Sequence, residues 1–261
     1  MNSRIENLDF VIVGASHGIG AALATHFVSR GAHVLACSRN AETSEASLGL
    51  TQLSLDLASG RGMNELAERV TGQPVTVIVT AAVFGPPAGI SATNKQDLAA
   101  TLQTNVVGTF ELLKQLSNSV SPQSHFVLFM GGGVGGDNLQ ENAVSYVISK
   151  MALAGLIESV GREWAASGPT LFGVSPGFYA TGFSNVVDSD LGRFRKAEEL
   201  NIDKLIELID VLTGLPRNVT AGRYFSSQWD EPLHVEQLIC DEPSFGRLRR
   251  LDNDLFGRNS D

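Results

Sequence analysis

A short apolar run followed by three glycines narrows the possible folds more than any other part of the chain. Asp9–Val13 is rich in β-branched and aromatic residues and predicts a buried strand. Gly14, Gly18 and Gly20 follow it, and a helical pattern then runs to about Arg30. A glycine turn between a strand and a helix lets backbone N–H groups approach an anionic phosphate. The spacing differs from the common dinucleotide fingerprint, so a simple strand-to-helix turn stays an alternative.

Further apolar segments alternate with helical patterns along the rest of the chain. Apolar strands without polar alternation indicate a parallel sheet covered by helices on both faces. We therefore predict one α/β domain over residues 1–261 with a doubly wound, mostly parallel, seven-stranded sheet. The predicted strands are residues 9–13, 33–37, 51–55, 75–80, 125–130, 171–175 and 224–226. The predicted helices are the segment from after Gly20 to about Arg30 and residues 60–71, 95–117, 145–166 and 188–213.

Composition excludes several classes of function. The 261 residues are 43% hydrophobic, which is enough for one large core, and the net charge of −9 argues against nucleic acid or an anionic membrane as partner. Cys37 and Cys240 are far apart and the five histidines lack ligand spacing, so we expect neither disulfides nor a metal site. Neither a signal sequence nor a membrane span is evident, so we expect a cytoplasmic protein.

Tyr146 and Lys150 lie four residues apart in a long segment with a helical pattern. In a helix that spacing places both side chains on one face, one turn apart. A free tyrosine titrates at about pH 10, and a positive charge nearby favours the phenolate and lowers the pKa. A tyrosine tuned in this way could exchange a proton with a substrate oxygen. The pair alone is also compatible with a half-buried tyrosine and a solvated lysine.

The end of the second predicted strand indicates which nucleotide would fit beside the glycine turn. An acidic residue there would bind the adenosine ribose hydroxyls and repel a 2′-phosphate. Ser38 and Arg39 stand there instead, and they offer a hydroxyl and a guanidinium that can bind phosphate bidentately. We therefore expect NADP(H) in preference to NAD(H), with a solvated loop arginine as the alternative. Asp56 and Leu57 would lie near the adenine, where the Asp56 carboxylate can accept from its amine.

Four short patterns occur in order, and together they resemble the short-chain dehydrogenase/reductase family in its shorter, single-domain form. The patterns are Gly14-x-x-x-Gly18-x-Gly20, Asn105-Val106-Val107-Gly108, Tyr146-x-x-x-Lys150, and Pro176-Gly177 with Thr181. The resemblance covers about residues 9–226. It implies a Rossmann-type sheet with NAD(P)(H) across the carboxyl ends of the strands. It also implies hydride transfer between the nicotinamide and a carbonyl or alcohol carbon of a small molecule.

The resemblance also implies roles for individual residues. Tyr146 would donate a proton in reduction and accept one in oxidation, while Lys150 would lower the tyrosine pKa and hold the nicotinamide ribose. Asn105 would hold a water of the proton relay, with a structural asparagine as the alternative. Residues 177–215 would form a substrate-binding lid. The residues expected to bind the cofactor are Gly14, Ser16, His17, Gly18, Ile19, Gly20, Ser38, Arg39, Asp56, Leu57, Ala81, Ala82, Asn105, Tyr146, Lys150, Pro176, Gly177, Tyr179 and Thr181.

Two positions depart from the family pattern. The fourth strand ends in Thr80 where the family has an asparagine that braces the sheet. Gly133 stands 13 residues before Tyr146, where the family has its catalytic serine. Loss of one such hydrogen-bond donor could cost about two to three orders of magnitude in rate. A substitute donor could come from Asn138, Gln140, Asn142 or Tyr179.

These departures leave three hypotheses. The chain is a working oxidoreductase, a non-redox enzyme of dehydratase or cyclase type with Tyr146 as acid, or a catalytically weak NADP(H)-binding sensor or scaffold. Retention of Tyr146, Lys150 and Asn105 favours the first. In the family the helices at 95–117 and 145–166 form subunit interfaces, and the second carries small and apolar residues on several faces. We therefore expect a homodimer or homotetramer.

The tail at residues 229–261 has little periodicity, and its structure stays unassigned. Arg247, Arg249 and Arg250 lie close together there. They could hold a phosphate or carboxylate of a sugar-derived substrate. A solvated or subunit-contacting tail is the alternative.

Overall fold

One twisted sheet organises the structure, a computed structural model that describes residues 8–41, 44–47, 49–131, 141–177 and 202–248. The strands in these residues are β1 (Phe10–Val13), β2 (Val34–Ser38), β3 (Ser44–Ser47), β4 (Leu50–Ser54), β5 (Thr76–Val79), β6 (His125–Phe129), β7 (Thr170–Ser175) and β8 (Tyr224–Ser226). Their order across the sheet is β3-β4-β2-β1-β5-β6-β7-β8.

Seven of the strands pair in parallel, which confirms the predicted doubly wound, Rossmann-type sheet. An eighth strand, β3, which the sequence prediction did not include, pairs antiparallel with β4 at the edge of the sheet. Residues 44–47 read Ser-Glu-Ala-Ser and have little intrinsic preference for a strand. Pairing with the neighbouring strand stabilises this segment, and local sequence could not show that.

Helices connect the strands on both faces of the sheet. They are α1 (Gly18–Ser29), α2 (Met63–Val70), α3 (Lys95–Leu102), α4 (Gly108–Ser117), α5 (Val144–Trp164), α6 (Ile202–Gly214), α7 (Arg217–Thr220) and α8 (Val235–Asp241). The predicted continuous helix over 95–117 is divided by a π-helical turn at Gln103–Val107. The part of the tail up to residue 248 is also structured, with a 3-10 turn at Pro232–His234 before α8.

Two apolar layers form the core, one on each side of the sheet. Val11 and Val13 of β1 face a layer that includes residues of α2, α4 and α5. Ile12, between them, faces a second layer that includes residues of α1, α6 and α8. All three side chains are at most 1% exposed. Burial on both faces explains why the strands read as continuous apolar runs rather than as alternating patterns.

Helix α5 is long and apolar enough to cross a membrane by length and composition, with a hydropathy of 1.3. The expectation that the chain has no such segment was therefore too strong. Half of the apolar window of α5 is buried inside the protein, where Leu153, Ala154 and Ile157 join the core. The core helix of a globular domain passes the same test, so this property is weak evidence for a membrane.

Arginine side chains attach the first part of the tail to the end of the sheet. Arg223 is 5% exposed and donates to the carbonyl oxygens of Pro243, at 3.0 Å, and Phe245. Arg247 donates in the other direction, to carbonyl oxygens of the turn before β8. The Glu158 carboxylate of α5 accepts from the backbone N–H of Leu248, the residue after Arg247, at 3.0 Å. Arg247 thus has a structural role, and the two arginines after it lie outside the described residues.

Gly108, the first residue of α4, provides a test of the helix packing. A Cβ atom added there would lie 2.7 Å from the carbonyl carbon and 2.9 Å from the Cβ of Leu57. These atoms belong to the main chain or are attached directly to it, so they cannot move away from an added Cβ as the end of a long side chain could. Gly108→Ala is therefore expected to lower the free energy of unfolding by about 1–3 kcal/mol. The measurement is urea-induced unfolding. The control is Gly214→Ala, since a Cβ there meets nothing within 4 Å, and equal stability of the two variants would contradict the packing.

Candidate active site

The predicted cofactor residues that the structure describes gather at the carboxyl ends of the parallel strands. Apart from Asn105, Tyr146 and Lys150, which lie in helical segments, they follow or end β1, β2, β4, β5 and β7, and the carboxyl ends of parallel strands lie on the same side. From β1 the chain adds β2 and β4 on one side, and it then returns to add β5, β6 and β7 on the other side. The connections that leave β1 and β5 therefore run in opposite directions, and a crevice opens between them. Ligands of open parallel sheets bind in this crevice.

The glycine turn lies directly against the end of β5. A Cβ added to Gly14, which has a φ of 100°, would lie 2.6 Å from the backbone nitrogen of Ala81. A Cβ on Gly20 would lie 2.6 Å from the Thr80 hydroxyl oxygen and would also contact the Gly14 carbonyl oxygen. His17, the N-cap of α1, makes no side-chain cap to the N–H groups of the first turn. The N–H groups of Gly14 and Ala15 donate to the Cys37 carbonyl oxygen, so the N–H groups at the start of α1, which lack partners within the helix, are the donors that could bind a diphosphate group.

Thr80, which stands where the family has a bracing asparagine, makes two hydrogen bonds of its own. Its hydroxyl donates to the carbonyl oxygens of Val13, at 3.1 Å, and Gly14, at 3.3 Å. These bonds tie the end of β5 to the turn after β1. A hydroxyl therefore supports the turn at the position where an asparagine was expected.

Arg61 supplies a second positive charge near Arg39, and the sequence patterns did not predict it. Arg61 donates from Nη2 to the Arg39 carbonyl oxygen at 2.7 Å, so its guanidinium lies beside the end of β2. The hydrogen bond from the Ser59 hydroxyl holds the pKa of Asp56 below its usual range, and the charges of Arg39 and Arg61 act in the same direction. Arg39 and Arg61 are both exposed, while Ser38 is half-buried. Two cations and a hydroxyl therefore lie at the end of β2.

Leu57 differs from the other predicted residues of this region. Its side chain is 4% exposed and belongs to the core layer under α4. A nucleotide could therefore contact its main chain but not its side chain.

Asn105 lies in the π-helical turn and joins the end of β5 to α5. Its side-chain oxygen accepts from the Val83 backbone N–H at 2.8 Å, and its amide donates to the Val83 carbonyl oxygen at 2.8 Å and to the Ser149 hydroxyl at 2.9 Å. The Ser149 hydroxyl then donates to the Tyr146 carbonyl oxygen at 2.7 Å. Because both amide hydrogens bind protein atoms, these contacts favour the structural alternative for this side chain. Its water-holding role stays a prediction.

Tyr146 and Lys150 lie together on one face of α5, as their spacing predicts. The Lys150 ammonium is 5.6 Å from the centre of the Tyr146 ring, and it donates to the Phe129 carbonyl oxygen of β6 at 2.8 Å. The two side chains are 7% and 3% exposed. Burial raises the pKa of the Tyr146 phenol and lowers the pKa of Lys150 to about 8. The expected lowering of the tyrosine pKa by Lys150 is thus outweighed by burial in this structure.

The segment after β7 is held by a residue that sequence patterns did not single out. Ser227, 5% exposed, donates from its hydroxyl to the Pro176 carbonyl oxygen at 2.8 Å, and its backbone N–H donates to the Ser175 carbonyl oxygen at 3.0 Å. Gly177 follows with a φ of 82°, a conformation that favours glycine. The predictions for Gly133, Asn138, Gln140, Tyr179, Thr181 and most of the lid lie outside the described residues.

Comparisons with known proteins agree with this arrangement. Residues 10–192 match the family model described as short chain dehydrogenase. The chain is similar to 3-oxoacyl-acyl-carrier-protein reductase of Haemophilus influenzae, with 24% identity over 236 residues that cover 83% of this chain and 98% of the relative. It is also similar to the NADPH-dependent pterin aldehyde reductase of Arabidopsis thaliana, with 26% identity over 190 residues that cover 69% and 78%.

A solved structure gives the same fold. It is a short-chain dehydrogenase/reductase from Burkholderia multivorans with bound NADP, which aligns with a TM-score of 0.68 and 22% identity. The alignment covers 86% of this chain and 98% of that one.

Burial of Lys150 predicts a dependence of stability on pH. Its pKa is about 8 in the folded protein, against an ordinary value of 10.5 in the unfolded chain. Between these two values the unfolded chain binds more protons, so this group makes the folded state more stable as the pH rises. The free energy of unfolding of the wild type minus that of Lys150→Met is expected to rise by about 2 kcal/mol from pH 7 to pH 9.5. Urea unfolding at each pH measures it, and a constant difference would contradict a buried ammonium.

Proposed function

The chain belongs to the short-chain dehydrogenase family, and from that premise we propose that it transfers a hydride between NADP(H) and a small carbonyl or alcohol substrate. The observation that carries this proposal is the placement of Tyr146 and Lys150 at the sheet edge that also holds the glycine turn. A phosphate cradle and a proton-transfer pair meet there. The combination suits a reaction in which a bound nucleotide and a substrate oxygen lie side by side.

Several groups of this chain would hold the nucleotide. NADPH, when bound, supplies the hydride. The backbone donors of the glycine turn would bind its diphosphate, and the Asp56 carboxylate, kept ionised by its hydrogen bonds, would accept from the adenine amine. The Lys150 ammonium would hold the nicotinamide ribose in place of its present bond to Phe129. The main chain at Ala81, Ala82 and 176–177 would line the nicotinamide end.

Tyr146 is better prepared to donate a proton than to accept one. Because burial raises its pKa, the phenol is fully protonated at neutral pH. A protonated phenol can give its proton to the oxygen of a carbonyl substrate as that oxygen gains charge. Reduction of a carbonyl would therefore use the phenol in the protonation state that it has at neutral pH. Acceptance of a proton in oxidation would first require a lower tyrosine pKa.

The preference for NADP(H) rests on the charges at the end of β2. Arg39 and Arg61 could both contact a 2′-phosphate, and no acidic residue ends β2 to repel it. One similar protein is described as NADPH-dependent, and one similar structure contains NADP. These likenesses support the proposal.

Substitution of Arg39 tests the cofactor preference. Arg39→Ala is expected to weaken NADPH binding by about tenfold to a hundredfold, because a charged hydrogen bond contributes about 1.5–3 kcal/mol. NADH lacks the 2′-phosphate, so its affinity should change less than about twofold. Fluorescence titration measures both dissociation constants. Arg30→Ala, an exposed arginine paired with Asp210 on α6, is the matched control. Equal loss for both nucleotides would contradict the role of Arg39.

Turnover separates the proposed enzyme from a nucleotide-binding sensor and from a non-redox enzyme. Consumption of NADPH with a panel of ketones, quinones and sugar-derived carbonyls is expected to depend on Tyr146. Tyr146→Phe removes the hydroxyl but keeps the ring, so it should bind NADPH and lose at least about a hundredfold in rate. Tight binding without turnover on any carbonyl would favour the other two hypotheses. Absence of binding by either nucleotide would contradict the site itself.

We also propose that the protein forms a homodimer or homotetramer. Apolar side chains on the turn and helices at one side of the molecule are exposed, namely Val107 at 42%, Phe110 at 43%, Ile148 at 42% and Met151 at 47%. A surface of this kind is unusual on a monomer and is typical of a subunit interface. Location in the cytoplasm stays a prediction from the sequence.

Charged substitutions on this surface test the assembly. The wild type is expected to sediment as a dimer or tetramer, while Phe110→Asp with Met151→Asp should give a monomer, because two carboxylates would be buried without partners. Analytical ultracentrifugation measures the mass. Leu233→Asp, at an exposed apolar position near α8, is the control. A wild-type mass that stays monomeric at all concentrations would refute the proposal.

A further inference from the structure

The Tyr146 side chain ends against Gly131, the second residue after β6. A Cβ added to Gly131 would lie 2.8 Å from Cζ and 2.9 Å from Cε1 of Tyr146, and closer still to its hydroxyl oxygen. All of these separations are shorter than any real contact of a Cβ atom. The phenol therefore occupies the space that a side chain at position 131 would take.

Backbone conformation does not explain this glycine. Gly131 is not among the glycines with positive φ, so an alanine could adopt its backbone angles. Gly131 is also buried, which separates it from a solvent-exposed hinge. The contact with Tyr146 is what opposes a larger residue.

A second side chain confines the phenol from another direction. The Phe84 ring stacks on the Tyr146 ring with a centroid distance of 5.0 Å and an interplanar angle of 28°. Phe84 is 7% exposed, and it follows Val83, whose backbone is fixed by Asn105. Lys150 donates a hydrogen bond to the carbonyl oxygen of Phe129, the last residue of β6. The end of β6 and the segment after β5 thus hold the tyrosine between them.

We propose that Gly131 and Phe84 are positioning residues for Tyr146, and that the missing side chain at position 131 gives the phenol its place at the end of β6. The effect on catalysis rests on the proposed function, whereas the contact itself does not. Gly131, the first glycine of the run after β6, then has a role that is separate from that of Gly133, which stands where the family has its serine.

Fluorine NMR tests the contact without any substrate. The chain has 3 tyrosines, so protein labelled with 3-fluorotyrosine gives few signals, and Tyr146→Phe assigns the one from residue 146. Gly131→Ala is expected to move that signal and to leave the other two in place. Gly214→Ala, where a Cβ meets nothing within 4 Å, should move none. An unmoved Tyr146 signal in Gly131→Ala would overturn the proposal.

Kinetics test the consequence for the reaction. Gly131→Ala should lower kcat for NADPH-dependent reduction at least tenfold and shift its pH profile, while the NADPH dissociation constant changes less than twofold. Equal kcat in variant and wild type would contradict a positioning role. Failure of the wild type to turn over any substrate would count against the proposed function alone, since the fluorine signal would still decide the contact.

A second variant keeps the test valid if Gly131→Ala does not fold. Phe84→Leu retains an apolar side chain but removes the stacked ring. It is expected to move the same fluorine signal and to lower kcat. A Tyr146 signal that stays in place in Phe84→Leu would show that Phe84 does not confine the phenol, and the proposal would fail for that residue.

Discussion

The close approach of the turn after β1 to the end of β5 sets the geometry of the whole crevice. Neither Gly14 nor Gly20 has room for a Cβ atom, and the Thr80 hydroxyl bonds across the gap. Because β1 and β5 are neighbours at the point where the strand order switches to the other half of the sheet, this contact places the glycine turn beside the segment that follows β5. A bulkier turn would separate the two strands.

Hydrogen bonds carry that geometry onward to the tyrosine. Asn105 binds the main chain after β5 and, through Ser149, the first turns of α5. A π-helical turn inserts one residue into the usual helical spacing, and such turns occur frequently at functional sites. Asn105 lies within this turn and is 1% exposed. Tyr146 and Lys150 in turn contact the end of β6, so hydrogen bonds and packing connect these two residues with the glycine turn.

Sequence patterns predicted the parts of the molecule that depend on local chemistry. Apolar runs gave the seven parallel strands, and the spacing of Tyr146 and Lys150 gave their common face. The edge strand β3 was missed because its residues have little intrinsic preference for a strand, and pairing with β4 stabilises it. The π-helical turn was missed because Asn105 within it binds Val83 and Ser149, which are distant in sequence. The contacts of Arg61 and Gly131 were missed for the same reason, since each depends on a residue far away in sequence. The predicted lowering of the Tyr146 pKa was wrong in direction, because burial, which raises that pKa, depends on the tertiary fold.

A crystal structure of the protein grown with NADP would test the proposed site most directly. The proposal predicts the diphosphate against the N–H groups at the start of α1 and the 2′-phosphate beside Arg39 and Arg61. It also predicts the nicotinamide ribose within hydrogen-bonding distance of Lys150, next to Tyr146. A nucleotide bound at another edge of the sheet, or oriented with its nicotinamide away from Tyr146, would contradict the assignment of this crevice as the active site.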